Sequence, residues 1–337
     1  MARYAGHLSR RRFLQGSLAL GGLGLLAGCG LIPPGTQPPK VARIAYLGGT
    51  LAAERLRLFK DGLRELGYLE GQHYTWEPRE EGRPERFPEL AAEVAASRPA
   101  VALAGDPVSV RALRDADGTL PIVMVGASEI PVELGLIESF ARPGGSVTGL
   151  AYGHPQLATK RLQLLGEVVP GLARVAVIGD ANVVPWESNP KYPLFRDAAR
   201  SLGLDLRVIN VRTPADFAGA FGTMAAAGVQ GYYADPGPMV NEFHGQLGDL
   251  AIRHRLPGIY GSVSSADAGL LTYGANALAI WARAPAIVDK LLRGAKPAEI
   301  PVEVPTKYDF VVNLTMARAI GLTVPQSVLM QATDVIQ

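Results

Sequence analysis

Short apolar runs alternate with amphipathic helical patterns along most of this chain, and this alternation restricts the fold more than any other feature. The first unit is an apolar run at 41–47 that ends in Gly48 and Gly49, followed by leucines and a phenylalanine at helical spacing within 52–66. Strands that alternate with helices at this spacing predict a mostly parallel sheet covered on both faces. The same patterns predict strands at 74–77, 100–104 and 122–125, and helices at 85–97 and 107–115.

The alternation starts again after a stretch of turn-forming residues at 141–149. It predicts helices at 157–169, 192–202, 215–227 and 239–254, and strands at 174–178, 206–211, 231–234, 257–260 and 269–273. We therefore predict an α/β fold of two doubly wound, Rossmann-like lobes joined by a hinge, with lobe 1 at 41–150 and lobe 2 at 151–274. Ligands of open α/β sheets bind at the carboxyl ends of the strands, so two facing lobes predict a cleft.

The last part of the chain, 275–337, is too small to form a domain. It contains a predicted helix at 276–292, a proline-punctuated connector at 297–305, a strand at 310–312 and a helix at 315–320. We expect these pieces to return to both lobes, so that the chain crosses the hinge more than twice.

The first 28 residues have the pattern of an export signal. Residues 9–14 read SRRRFL, which resembles the twin-arginine signal, and Arg10 and Arg11 are the predicted arginine pair. The uncharged run 16–28 is shorter than the roughly 20 residues that span a bilayer. We therefore predict a cleaved twin-arginine signal peptide at 1–28.

The single cysteine, Cys29, follows directly after this run in the sequence Leu-Ala-Gly-Cys. This resembles the lipobox of bacterial lipoproteins, in which the cysteine thiol carries the lipid and becomes the mature N-terminus. The alternative is an apolar core cysteine. Residues 29–40 are rich in proline and form a predicted semi-rigid tether to the membrane.

Composition narrows the classes of partner. The chain has 337 residues, 48% of them hydrophobic, which is enough apolar material for two cores. The formal charge is +2, and residues 1–28 contain four arginines and no acidic residue, so a chain cleaved after residue 28 carries about −2. A near-neutral chain argues against a nucleic-acid partner. One cysteine also excludes a disulfide within the chain.

Several motifs spread along 41–337 resemble one family, the substrate-binding proteins of ABC importers in the tryptophan/tyrosine-binding-like group. The motifs include 59–68 (FKDGLRELGY), 139–145 (SFARPGG), 253–261 (RHRLPGIYG) and 289–297 (DKLLRGAKP). The resemblance implies the type I periplasmic binding fold, hinge closure on a small molecule such as an amino acid or related metabolite, and permease and ATPase subunits as partners. It also implies a monomer located outside the cytoplasm.

The resemblance further implies that a zwitterionic ligand places its carboxylate at helix N-termini and its ammonium group on an acidic side chain. The candidate ligand-binding residues are Gly49, Thr50, Asp106, Ser128, Glu129, Tyr152, Asp180, Asn182, Asp235, Tyr260 and Tyr273.

Each type of candidate has a structural alternative. Thr50, Asp106 and Ser128 precede predicted helices and could be N-caps. The tyrosines could pack the hinge, and the aspartates in lobe 2 could form turns.

Two positions depart from the family pattern. Asp106 stands where relatives have threonine, and 128–132 contains one extra residue. A carboxylate at Asp106 would compete with an anionic ligand for the helix N-terminus. A cationic or uncharged ligand is therefore an alternative to a simple amino acid.

Two other functions are compatible with an exported α/β protein. An exported enzyme is one, but residues 29–337 contain no dinucleotide, P-loop, zinc-protease or nucleophile-elbow motif. His73, His154, His244 and His254 have no metal-ligand spacing, so we expect no cofactor and no metal. A sensory binding protein for a receptor kinase is the other, and it would use the same closure.

Overall fold

Two β-sheets, flanked by helices, form the centre of the structure. The computed structural model describes residues 41–154, 156–182 and 185–337. The predictions for Arg10, Arg11, Cys29 and the tether concern residues that lie outside this description. No helix within the described residues has both the length and the apolar composition needed to cross a membrane.

The first sheet is entirely parallel, with the order β2-β1-β3-β4-β5. It and its helices follow in the order β1 (Ala42–Gly48), α1 (Ala53–Glu65), β2 (Tyr74–Glu80), α2 (Phe87–Ser97), β3 (Val101–Ala104), α3 (Pro107–Ala116), β4 (Ile122–Val125) and β5 (Val147–Leu150).

The second part of the chain begins with α4 (Leu157–Val168), β6 (Arg174–Asp180), α5 (Lys191–Ser201), β7 (Asp205–Val211), α6 (Asp216–Ala226), β8 (Gly231–Ala234), α7 (Pro238–Glu242), α8 (His244–His254), β9 (Gly258–Tyr260) and β10 (Leu271–Gly274). It ends with α9 (Ala277–Leu292), β11 (Asp309–Asn313), α10 (Leu314–Ile320), α11 (Gln326–Leu329) and β12 (Asp334–Ile336). The second sheet has the order β12-β11-β10-β9-β8-β6-β7, and only the β10–β11 pair is antiparallel among the described strands.

Successive residues of each central strand point to opposite, equally apolar layers. In β1, Ile44 and Tyr46 pack with α1 and α9, whereas Ala45 and Leu47 pack with α2 and α3. The second sheet repeats this arrangement, with α4 and α5 on one face and α6 and α8 on the other. Burial on both faces explains why these strands read as continuous apolar runs.

The chain passes between the two sheets three times, after β5, after β10 and before β11. Helix α9 returns to pack against α1 and the first sheet, while β11 and β12 join the second sheet. The first and third crossings are joined by backbone hydrogen bonds of 2.9 Å from Ala151 N to Glu303 O and from Glu303 N to Gly149 O. Below, lobe 1 denotes the first sheet with α1–α3 and α9, and lobe 2 denotes the second sheet with the other helices.

Three details differ from the sequence expectation. The stretch predicted only as turns contains β5, where Gly149 has φ 132° and an added Cβ would overlap the backbone of Met124. The helix predicted at 239–254 is two helices, α7 and α8, separated at Phe243. Helix α11 and strand β12 were not predicted, because each is only a few residues long.

Candidate functional site

A cavity of about 630 Å³ lies between the two lobes. Loops at the carboxyl ends of strands from both sheets line it, including 49–52 after β1, 105–107 after β3 and 126–130 after β4 in lobe 1. Lobe 2 contributes Asp180 after β6, 235–237 after β8 and 261–264 after β9. This is the position at which open α/β sheets bind ligands.

Most of the sequence-predicted ligand residues line this cavity. They are Gly49, Thr50, Asp106, Ser128, Glu129, Tyr152, Asp180 and Asp235. Asn182, Tyr260 and Tyr273 do not line it. A further groove of about 500 Å³ lies beside α4 on lobe 2, and none of the predicted residues lines that groove.

The three residues outside the cavity have other contacts. The amide nitrogen Nδ2 of Asn182 donates to the carbonyl of Arg212 at 2.7 Å. Tyr260 points into the layer between the second sheet and helices α6 and α8, and its hydroxyl lies 3.0 Å from that of Tyr232. Burial raises the pKa of Tyr260 well above its usual value. Tyr273 packs 5.9 Å from the ring of Tyr308, centroid to centroid, so it has the hinge-packing role given above as the alternative.

The predicted N-caps have different outcomes. Asp106 caps α3, since its carboxylate accepts from Val108 N at 2.9 Å and from Ser109 N at 2.8 Å. Burial raises the pKa of Asp106. Thr50 caps no helix, because α1 has Ala52 at its N-cap. Ser128 closes a turn instead, where its hydroxyl accepts from Ile130 N at 3.0 Å.

Glu129 forms a buried ion pair with Arg161, and this pair joins the lobes. Glu129 follows β4 in lobe 1, whereas Arg161 lies on α4 in lobe 2 and has a fully buried side chain. The two carboxylate oxygens accept from the guanidinium at 2.6 and 3.2 Å. Burial opposes the charged form of Glu129, but the attraction of Arg161 and Lys191 outweighs it, so the pKa of Glu129 is lowered.

Asp235 is paired in the same way within lobe 2. Lys191 Nζ donates to its Oδ1 at 2.9 Å, and the hydroxyl of Tyr233 donates to the same oxygen at 3.0 Å. Arg161 also donates to the Tyr233 hydroxyl at 3.1 Å, so the two ion pairs form one network. Burial opposes the charged form of Lys191, but Asp235 and Glu129 outweigh it and raise its pKa.

Neither Arg161 nor Lys191 was among the residues predicted from the sequence to form the site. Arg161 had a detectable signal, because it lies among Ala158, Leu162 and Leu165 on a predicted helix, and a charge on an apolar face needs a buried partner. Lys191 is the first residue of α5 and has no comparable signal. The consequence for the site is that Glu129 and Asp235, predicted to meet a ligand ammonium, are already neutralised by the protein.

A metal site has no support in the described part of the chain. Within those residues, no group of three or more His, Cys, Asp or Glu side chains is arranged to hold a metal ion.

The sequence matches a known family over nearly all of the described chain. Residues 40–336 match the family of ABC transporter substrate-binding proteins, and the chain therefore belongs to this family. Such proteins act outside the cytoplasm and serve a transporter with a small molecule. No curated protein matches the sequence.

Solved structures agree on the fold. A conserved domain protein from Vibrio cholerae is similar, with a TM-score of 0.79 at 24% identity, over 88% of this chain and 100% of that one. An ABC domain from Streptococcus pneumoniae in complex with L-Trp has a TM-score of 0.78 at 20% identity, with the same coverage. A periplasmic ribose ABC transporter protein from Conexibacter woesei has a TM-score of 0.55 at 12% identity, over 85% and 97%. The fold is the type I periplasmic binding fold.

Proposed function

We propose that this protein is the extracytoplasmic, lipid-anchored substrate-binding component of an ABC importer, which captures an amino acid or related metabolite by closing its two lobes. The observation that carries the proposal is the cavity of about 630 Å³, lined by strand-end loops from both lobes. This volume lies within the roughly 300–1,000 Å³ that is typical of small-molecule sites.

Closure follows from where the cavity lies. A ligand that contacts both lobes makes more contacts in the closed state than in the open state, and the difference in binding free energy shifts the population toward closure. The first and third crossings are joined by backbone hydrogen bonds, and Asn276 of the second crossing donates to Asp309 at 2.9 Å, which is the arrangement expected of a hinge. The permease would then recognise the closed form.

The aromatic lining supports an amino acid or similar metabolite as the ligand. Tyr46, Tyr152, Trp186 and Trp281 line the cavity, and the rings of Tyr46 and Trp281 lie 6.0 Å apart. Aromatic side chains provide large apolar contact areas at low entropic cost. The similar ABC domain from Streptococcus pneumoniae, whose structure contains L-Trp, fits this ligand class.

The cavity is tested with a substitution that fills it. Thr50 is exposed at the mouth of the cavity, so Thr50→Trp should abolish the thermal shift given by a bound metabolite. In the wild type, a ligand at a hundred times Kd raises the free energy of unfolding by about 2.7 kcal/mol. Thr213→Trp, in an exposed loop outside the cavity, is the matched control. Equal binding by both variants would contradict the proposed site.

Transport is tested in cells. Deletion of the gene should abolish import of the compound that binds the purified protein, and the wild-type gene should restore import. Unchanged import, together with loss of a transcriptional response to the compound, would favour a sensory role over transport.

The export and anchoring proposals rest on the residues 1–40. Cys29→Ser should move the mature protein from the membrane fraction to the soluble extracytoplasmic fraction. Replacing Arg10 and Arg11 with lysine should leave the precursor in the cytoplasm, whereas Arg12→Lys, next to the pair, should not. Retention of Cys29→Ser in the membrane would contradict the lipid anchor.

A further inference from the structure

The charged side chains that line the cavity are mostly neutralised by other parts of the protein. Glu129 is paired with Arg161, and Asp235 with Lys191. Asp106 is held at the N-terminus of α3 by two backbone N–H groups. Each of these three carboxylates therefore already has a cationic or N–H partner within the protein.

The remaining acidic residues of the lining are placed less favourably for a ligand cation. Glu81 pairs with Arg83 at 3.2 Å and with Arg86 at 2.8 Å. Asp180 accepts from Asn182 N at 2.9 Å and from Met239 N at 3.4 Å, so backbone N–H groups already bind it. Glu242 is exposed to water at the end of α7. Hydration competes with any ion pair that Glu242 makes there.

Arg55 is different, because it lines the cavity without an ion-pair partner among the described residues. It lies in the first turn of α1 and is only partly exposed. Its charge acts on two tyrosines of the cavity wall, since burial raises the pKa of the buried Tyr46 and of the partly buried Tyr152, and the field of Arg55 opposes both shifts. Arg55 therefore contributes to the cavity wall a charge that has no ion-pair partner among the described residues.

Two features of the N-terminus of α1 favour an anion at Arg55, against the carboxylate of Glu54 in the same turn. Ala52, the N-cap residue of α1, provides no side-chain acceptor for the N–H groups of the first turn. The positive end of the helix dipole thus acts in the same direction as the guanidinium. Arginine binds carboxylates through two parallel N–H···O bonds, which fix the orientation of the bound group.

We propose that Arg55 is the specificity-determining residue of the cavity and binds a carboxylate group of the ligand, whereas no acidic side chain of the cavity is reserved for a ligand amine. This inference rests on the proposed function and narrows its substrate class. Carboxylic acids are ligands whether or not they carry an amino group, and amides of the same compounds bind more weakly.

The test uses pairs of defined compounds. For each common amino acid, binding is measured by calorimetry for the acid, for its amide, which lacks the carboxylate, and for its deaminated acid, which lacks the ammonium group. The wild type should bind at least one acid and its deaminated form, and should bind the amide about 10- to 100-fold more weakly, as expected for a lost charge-assisted hydrogen bond.

Substitutions of Arg55 provide the second arm of the test. Arg55→Gln should weaken acid binding by the same factor and abolish the difference between acid and amide, and Arg55→Lys should restore part of the affinity. Arg57→Gln is the matched control, because Arg57 lies on the same helix, is paired with Asp61 at 3.2 Å and has a side chain that is 61% exposed. Since Arg55 has no described ion-pair partner, its variants should keep the wild-type thermal midpoint.

The outcomes separate this inference from the proposed function. Equal affinity for acid and amide, unchanged binding by Arg55→Gln, or binding of no carboxylate would each overturn the role of Arg55. Mass spectrometry of compounds that the protein captures from a metabolite extract tests the function itself. The wild type could instead capture an uncharged or cationic compound that Thr50→Trp does not bind. That result would overturn the carboxylate subsite but would support the binding function.

Discussion

Replacing Glu129 with leucine should cause a large loss of stability, because it leaves a buried charge without its partner. Arg161 has five N–H donors, and all are used: two meet Glu129, and the others meet Tyr233, the carbonyl of Tyr273 at 2.9 Å and the carbonyl of Gly261 at 3.3 Å. The guanidinium has no exposure to water that could replace the carboxylate. We expect Glu129→Leu to reduce the free energy of unfolding by about 3–5 kcal/mol.

Urea unfolding measures this loss, with two further variants for comparison. Glu129→Leu combined with Arg161→Met removes both charges and should recover part of the stability, since an apolar pair replaces the buried ion pair while the carbonyls of Tyr273 and Gly261 lose their donor. Arg207→Gln is the control, because its partner Asp205 lies at 2.9 Å but both side chains are at least half exposed, so about 0–1 kcal/mol is expected. A loss below 1 kcal/mol for Glu129→Leu, or no recovery in the double variant, would refute this account.

The same ion pair predicts a dependence on pH. Because the pKa of Glu129 is lower in the folded state than its unfolded value of about 4.3, its contribution is present above that value and is lost as the pH falls through the folded pKa. Burial raises the pKa of Asp106, which acts in the opposite direction. The difference in urea midpoint between wild type and Glu129→Leu measures the contribution of ionised Glu129 to stability. This difference should become smaller below about pH 4.

Three smaller perturbations have defined outcomes. Tyr260→Phe leaves the buried hydroxyl of Tyr232 unpaired and should cost about 1–3 kcal/mol by urea unfolding, and the double Phe variant should be more stable than the single one. Gly179→Ala places a methyl group on the indole ring of Trp186, so we expect the free energy of unfolding to fall by about 1–3 kcal/mol and the tryptophan emission to shift. Unchanged emission would contradict this packing. Asn276→Ala removes the N-cap of α9, where the side chain accepts from two backbone N–H groups, and should lower stability by about 1 kcal/mol in thermal unfolding. Asn276→Asp should also be destabilising, because Asn276 Nδ2 donates to Asp309 Oδ2 at 2.9 Å and a carboxylate there would face another carboxylate.

The fold was largely predictable because the strands are buried on both faces. Apolar runs such as Val101–Ala104 and Ile122–Val125 show no alternation of polar and apolar residues, which is typical of strands covered on both faces. The amphipathic helices between them then favour a parallel α/β sheet. Strand β5 was missed for a local reason. Its Gly149 has the appearance of a turn residue, but the position needs glycine because the backbone of Met124 lies against it.

The position of the cavity was predictable from the sequence, but the pairing of its charged side chains was not. Parallel strands bring their carboxyl ends to one edge, so residues such as Thr50 and Asp235 reach the cavity by topology alone. Side-chain direction depends on the phase of each strand, and a shift of one residue reverses it. Tyr260 therefore points away from the cavity, into the core beside Tyr232. The Glu129–Arg161 pair joins residues from different lobes, and no local pattern specifies that partnership.

The third passage of the chain between the lobes affects how the protein can be synthesised. The apolar layer on one face of the first sheet is completed by Trp281 and Ile287 of α9, about 125 residues beyond the end of β5. At roughly 5–20 residues per second, a ribosome needs roughly 6–25 s to deliver that helix. The nascent first sheet therefore stays uncovered on one side until α9 has been translated, long after its own strands.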